Sequence, residues 1–241
     1  MEKVSQISLE LLQGQQTSSA EPVEESRDTS QSNACPICNG LGWQKVVTNE
    51  FVGMRRCECV GLRTKELRLA EIPKKFRAAT FDSYEPKNPQ QMRTRGLMVG
   101  QPERSYFICG SYGNGKTHLL VAQYRTAVLL GIPCHFRVSD ELMDELQRET
   151  WDKGFVSPVM EAIRTKKRYH LFWDDIEKIK SSEYRDEQIF RLVNAIYNKE
   201  LSLSVTSNLS IEELANLPQG KEKVPQAVVR RIDDICRMVG V

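Results

Sequence analysis

Eight residues constrain this chain more than any others: Gly110, Ser111, Tyr112, Gly113, Asn114, Gly115, Lys116 and Thr117. Three glycines in so short a run let backbone N–H groups curl around an anion with no Cβ in the way. The spacing G-x-x-x-x-G-K-[ST] is that of a phosphate-binding loop. In such a loop Lys116 sets a cation against the β- and γ-phosphates of ATP, and Thr117 offers a hydroxyl to Mg²⁺. Tyr106-Phe-Ile-Cys109 before the loop reads as a short buried strand, and the run from His118 to Leu130 reads as a helix. Strand, glycine loop and helix in that order is the context the motif requires. The helix aims its positive dipole end at the same anion. His118 is therefore counted with the nucleotide-binding residues.

Beyond the loop the pattern keeps alternating. Strand-like runs occur at 133–138, 169–173 and 201–206, separated by helical patterns at 140–149 and 186–200 and followed by another at 225–235. Leu142, Met143 and Leu146 mark the inner face of one helix, and Ile189, Leu192, Val193 and Ile196 that of the next. Such alternation predicts an α/β fold, a parallel sheet flanked by helices with ligands at the carboxyl ends of the strands. The chain's 241 residues hold one such domain plus something small. No apolar run approaches the length of a membrane span, and the first residues lack a signal-peptide core, so a cytoplasmic protein without a membrane partner is expected. A net charge of +2 does not by itself call for a polyanionic partner.

The N-terminal third is organised differently. Residues 13–34 are rich in Gln, Ser, Thr and Glu, so 1–34 predicts a disordered tail, or one that folds on a partner through Val4, Ile7, Leu11 and Leu12 in an amphipathic stretch at 4–12. Residues 35–61 carry Cys35-Pro-Ile-Cys38 and Cys57-Glu-Cys59 on either side of a predicted hairpin, 43–47 and 51–55. Two close cysteine pairs brought together by a hairpin suit tetrahedral Zn²⁺, and an iron–sulfur cluster uses the same four thiolates. Glycines after each pair predict knuckle turns, and Trp43 is expected in the small core. Cys109, Cys134 and Cys236 are expected to be free of metal. Residues 62–91 read as a basic helix stopped by Pro73 and a linker loop, with the ATPase domain at 92–241.

A phosphate loop needs an acid on a neighbouring strand to hold Mg²⁺. Asp174 closes the run His-Leu-Phe-Trp-Asp and fills that role with Thr117; Asp175 stands where a general base would orient the attacking water. Asn208, after the strand at 201–206, either bonds that water and the γ-phosphate or serves as a turn residue. Arg230 and Arg231 lie on the outer face of the last predicted helix. Exposed arginines are usually a solvated surface, and in an oligomer one can reach a neighbour's γ-phosphate.

Taken together, GSYGNGKTHL, LFWDDIEK, SVTSNLS and VVRRIDD resemble, in order and interval, the DnaC/DnaI/IstB group of AAA+ ATPases. The segment from Ile72 to Tyr84 resembles that group's lead-in, which passes near the adenine. The resemblance covers residues 72–241. It implies an AAA+ P-loop ATP hydrolase with Asp174 and Asp175 as Walker B acids, Asn208 as sensor and Arg231 as arginine finger. It implies loading or remodelling of a replicative helicase on single-stranded DNA and head-to-tail self-association. The nearest alternative is an IstB-like transposition ATPase acting on target DNA. Two basic groups bear on a DNA partner: one from Arg55 to Arg77, which includes Arg56, Lys65 and Arg68, and a second at Lys166, Lys167 and Arg168.

Overall fold

The computed structural model describes residues 35, 37–38, 43–47, 52–179, 182–217 and 224–241. The expected tail at 1–34 and the hairpin turn at 48–50 lie outside the described residues. The chain divides into two units, 1–41 and 42–241. In the first, Cys38 is buried and Ile37 exposed.

The second unit opens with an antiparallel hairpin, β1 (Trp43–Val47) and β2 (Val52–Arg56), in which Trp43 pairs with Arg56 and Val47 with Val52. Trp43 does not form a core here: its side chain is 49% exposed. Helix α1 (Glu58–Ala70) begins directly after Cys57, which is its N-cap residue. The expected knuckle turn at Gly61 is replaced by helix, with open space where a Cβ would stand. A single 3-10 turn, Lys74–Phe76, follows Pro73.

The linker loop expected to run to residue 91 turns helical at Pro89. Asn88 accepts a hydrogen bond from the Gln91 N–H at 2.9 Å, and proline's fixed φ suits the first helical position, so α2 runs Pro89–Gly100. Then come β3 (Tyr106–Cys109), α3 (Lys116–Leu129), β4 (Cys134–Val138), α4 (Ser139–Trp151), α5 (Pro158–Thr165) and β5 (His170–Asp174). The chain ends with α6 (Glu183–Asn198), β6 (Ser202–Ser207), α7 (Ile211–Ala215), α8 (Gln226–Ile235) and β7 (Arg237–Gly240). Five strands form one parallel sheet in the order β4-β5-β6-β3-β7.

Alternation along each strand feeds two cores, one on each face of the sheet. Phe107, Leu171, Trp173, Leu203 and Val205 meet α4, α5, α6 and α8 on one side. Tyr106, Ile108, Phe136 and Phe172 meet α2 and α3 on the other. Each such large side chain, fully buried, contributes about 1.5–3 kcal/mol. Among the described residues no helix is long and apolar enough to cross a membrane.

Candidate nucleotide-binding site

The loop between β3 and α3 lies at the carboxyl edge of the sheet, where β3 runs between β6 and β7 and Thr117 reaches Asp174 at the end of β5. Two of its glycines are sterically required. Gly110 has φ +152° and a Cβ there would lie 2.1 Å from the Val241 carbonyl oxygen. Gly115 has φ +86° and a Cβ would meet the Tyr84 ring at 2.5 Å. The 80–84 segment is thus pressed onto the loop, and the Tyr84 hydroxyl donates to the Asn114 carbonyl at 3.2 Å. His118 joins this clasp: its Nε2 lies 2.9 Å from the Thr80 carbonyl and its ring stands edge-on to Tyr84. Its partners are protein groups, in the lead-in segment.

Lys116 is buried, and its Nζ donates to the Gly110 and Ser111 carbonyls at 2.8 and 2.9 Å. These bonds hold the ammonium inside the loop, where a phosphate's oxygens would replace the carbonyls. Burial pushes the lysine's pKa down, while the carboxylates of Glu177, Asp175 and Asp174 oppose that.

Asp174 is the buried centre of the site. Thr117 Oγ1 donates to it, 3.0 and 3.1 Å from its two oxygens, and Thr206 Oγ1 donates at 2.6 Å. Burial raises its pKa to about 6, the neighbouring charge of Asp175 adds to this, and the two threonine bonds act the other way. Among the described residues it forms no ion pair. A buried carboxylate beside a hydroxyl and without a cation fits Mg²⁺, whose ligands are hard oxygens. Asp175 sits in the left-handed region, φ 59°, with its N–H bonded to Thr206 Oγ1 at 2.8 Å and its carbonyl held by Ser139 Oγ at 2.7 Å. Its carboxylate accepts from Lys178. Asn208 donates its amide to Glu177, and both line a cavity of about 370 Å³ with Ser111 and Tyr112.

The structure therefore gathers Lys116, Thr117, Asp174, Asp175 and Asn208 at one edge. Arg231 differs from the expectation of an exposed pair. Arg230 is exposed, but Arg231 is half-buried, bonded to Asn194 at 3.0 Å and set over the Phe190 ring on α6. Three residues that sequence reasoning gave no role at the site complete it, Thr206, Ser139 and Glu177, and Tyr84 joins it from the lead-in segment. One signal was present. Thr206 is one of three polar residues, with Ser204 and Ser207, in a strand that is otherwise Leu and Val where it is buried.

A five-stranded parallel sheet between helical layers, with this loop and acid at its carboxyl edge, defines an AAA+ P-loop ATP-binding domain. A sequence profile described as IstB-like ATP binding protein matches residues 54–241, and the chain belongs to that family. The chromosomal replication initiator protein DnaA of Aliarcobacter butzleri (strain RM4018) is 28% identical over 145 residues, 57% of this chain and 32% of that protein. The chain thus spans about a third of the length of this curated relative. The crystal structure of the DnaC helicase loader superposes with a TM-score of 0.57 at 24% identity, over 70% of this chain and 99% of that one. The DnaI crystal structure gives 0.54 at 19%, over 70% and 90%.

Proposed function

We propose that this chain is an ATP-hydrolysing DNA replication protein that loads or remodels a replicative helicase on single-stranded DNA, acting head to tail with further copies of itself. The observation that carries the hydrolytic part is the buried Thr117–Asp174–Thr206 network beside Lys116. The likeness to the DnaC helicase loader fold supports the rest.

In this reading the loop N–H groups cradle the ATP phosphates, and Lys116 exchanges its two carbonyl partners for phosphate oxygens. Thr117 and Asp174 would hold Mg²⁺, which when bound would supply positive charge against the phosphate oxygens. Asp175 accepts the proton of the attacking water, and Asn208 orients that water. The new P–O bond forms at the γ-phosphorus as the bond to ADP breaks, leaving ADP and phosphate. Arg231 is the residue proposed to reach a neighbour's γ-phosphate.

Cys35, Cys38, Cys57 and Cys59 are the zinc ligands in the same reading. The two cysteine pairs, Cys35-Pro-Ile-Cys38 and Cys57-Glu-Cys59, support it by their spacing. Four thiolates match tetrahedral zinc.

ATPase assays with and without single-stranded DNA, and with the host's replicative helicase, test the function. Lys116→Ala should lower ATP affinity roughly 10–100-fold, since charge-assisted bonds contribute about 1.5–3 kcal/mol. A folded Lys116→Ala protein with undiminished ATP affinity would exclude the loop. Stimulation by a transposase and duplex target, with none by helicase, would favour the transposition reading.

A further inference from the structure

Two cationic groups far apart in sequence meet at one groove. Arg56 at the end of β2, Lys65 and Arg68 on α1, and Lys166 before β5 line it, over a floor that includes Val128 and Ile132. Its volume is about 450 Å³, and no carboxylate lines it. Arg68 is partly neutralised by Glu71 at 2.9 Å. Arg56, Lys65 and Lys166 form no ion pair among the described residues, and Lys167 and Arg168 continue the exposed positive run. Its positive charge runs along about 12 Å of helix, from Val60 to Arg68, and the one acid in that stretch, Glu66, does not line the groove.

A second, independent observation stands beside it. Trp43 pairs with Arg56 across the hairpin, so both side chains leave the same face. The indole is 49% exposed, and Met54 on that face is exposed as well. A large aromatic left open beside a line of cations is the combination that single-stranded nucleic acid uses: backbone phosphates on the cations, a base on the ring. An acidic polypeptide would satisfy the cations and leave the indole unused. The groove adjoins Pro133 and Cys134, where β4 begins, and so lies at the opposite end of the strands from the phosphate loop.

We propose that this groove binds the sugar–phosphate backbone of single-stranded DNA, with Trp43 stacking on a base. The inference deepens the DNA arm of the proposed function and does not depend on ATP hydrolysis. The test is fluorescence anisotropy of the full chain with a labelled oligothymidylate of roughly 20 nucleotides, across a range of salt. An Arg56→Ala/Lys65→Ala/Lys166→Ala variant should bind at least about tenfold more weakly, with the salt slope reduced by about 2. Trp43→Ala should lose about tenfold and abolish the quenching of indole fluorescence that binding causes in the parent. Both variants should keep the parent's ATP affinity, which shows that the fold survives. Unchanged oligonucleotide affinity and salt slope in the triple variant, or no binding by the parent, would overturn the proposal. So would displacement of the oligonucleotide by polyglutamate at equal charge concentration, which would assign the groove to an acidic protein. Oligonucleotide binding that persists in Lys116→Ala keeps this outcome separate from any failure of the ATPase reading.

Discussion

Asp174 shows what burial does to a carboxylate held by hydroxyls. Its charge faces two hydroxyls and, among the described residues, no ion-pair partner, and burial raises its pKa from 3.8 to about 6. A folded-state value above the unfolded one means that protonation favours the fold. This contribution is fully present below about pH 4 and is lost as pH rises through about 6. Metal-free protein should therefore melt at a higher temperature at pH 5.5 than at pH 7.5. Asp174→Asn should remove that pH dependence and raise the melting temperature at pH 7.5, while Mg²⁺-dependent hydrolysis falls by at least about 100-fold. Calorimetry in chelator, alongside turnover assays, reads both; an unaltered pH profile in the variant would refute the account. The contiguous part of this site was legible in the sequence, because the loop and the Asp174-Asp175 pair carry their own spacing. Thr206 was not, because it reaches Asp174 only through the β5–β6 register, in which Trp173 pairs with Val205. Glu177 was hidden for a related reason. Its meeting with Asn208 joins the turn after β5 to the residue after β6.

At the scale of elements, Glu71 joins α1 to the ATPase core. Its carboxylate lies 2.8 Å from His135 Nδ1, accepts from the Phe136 N–H at 2.9 Å and the Tyr124 hydroxyl at 2.8 Å, and faces Arg137 at 3.3 Å. Burial alone would raise its pKa; His135, Arg137 and the Phe136 amide outweigh that and hold it at about 2. Burial also lowers the His135 pKa, so the ring serves mainly as a neutral donor and the arginines supply the charge. The network's stability is present above about pH 4.5 and is lost as pH falls toward about 2. Glu71→Gln should cost about 3 kcal/mol at neutral pH. It should also expose the end of α1 to limited proteolysis; an unchanged melting temperature would count against this joint. The cysteines divide on similar grounds. Burial pushes the Cys134 thiol up to about 12 and also raises Cys109 and Cys236, so all three stay protonated and are poor ligands. Elemental analysis should find one zinc per chain, lost in Cys35→Ser/Cys57→Ser and kept in Cys134→Ser. Full metal in the double variant would refute the ligand set. The parallel sheet itself was legible because buried strands and amphipathic helices alternate in the sequence. β7 was not, because Arg237-Met-Val-Gly240 is too short and mixed to show a period, and pairing with β3 makes it a strand. α5, with eight residues, was missed for the same lack of length. Strand order rests on long-range pairing that local pattern does not encode.

At the scale of the whole molecule, the proposed head-to-tail action rests on Arg231. The proposed finger, Arg231, is already placed: Asn194 holds its Nε, the Ala227 carbonyl accepts from its guanidinium at 2.9 Å, and Phe190 and Tyr197 flank it. A group that must meet a neighbour's γ-phosphate gains from such preorganisation, because less side-chain freedom is lost on assembly. Arg230, exposed on the next position, has the reach without the support. Arg231→Ala should therefore leave ATP binding intact and reduce hydrolysis in the assembled state by roughly 10³-fold or more. Arg231→Lys should rescue little, since an ammonium cannot bond Asn194 and a phosphate with the same fork. Loss of the aromatic stack alone would cost about 0.5–1 kcal/mol of stability, visible as a small melting shift that the rate effect should far exceed. A mixing experiment separates the two roles. Lys116→Ala copies still carry Arg231, and Arg231→Ala copies still carry the loop. Combined, they should recover part of the activity, because some interfaces then pair an intact loop with an intact arginine. No recovery in a mixture shown to co-assemble would move the finger to Arg230 or place it within its own chain.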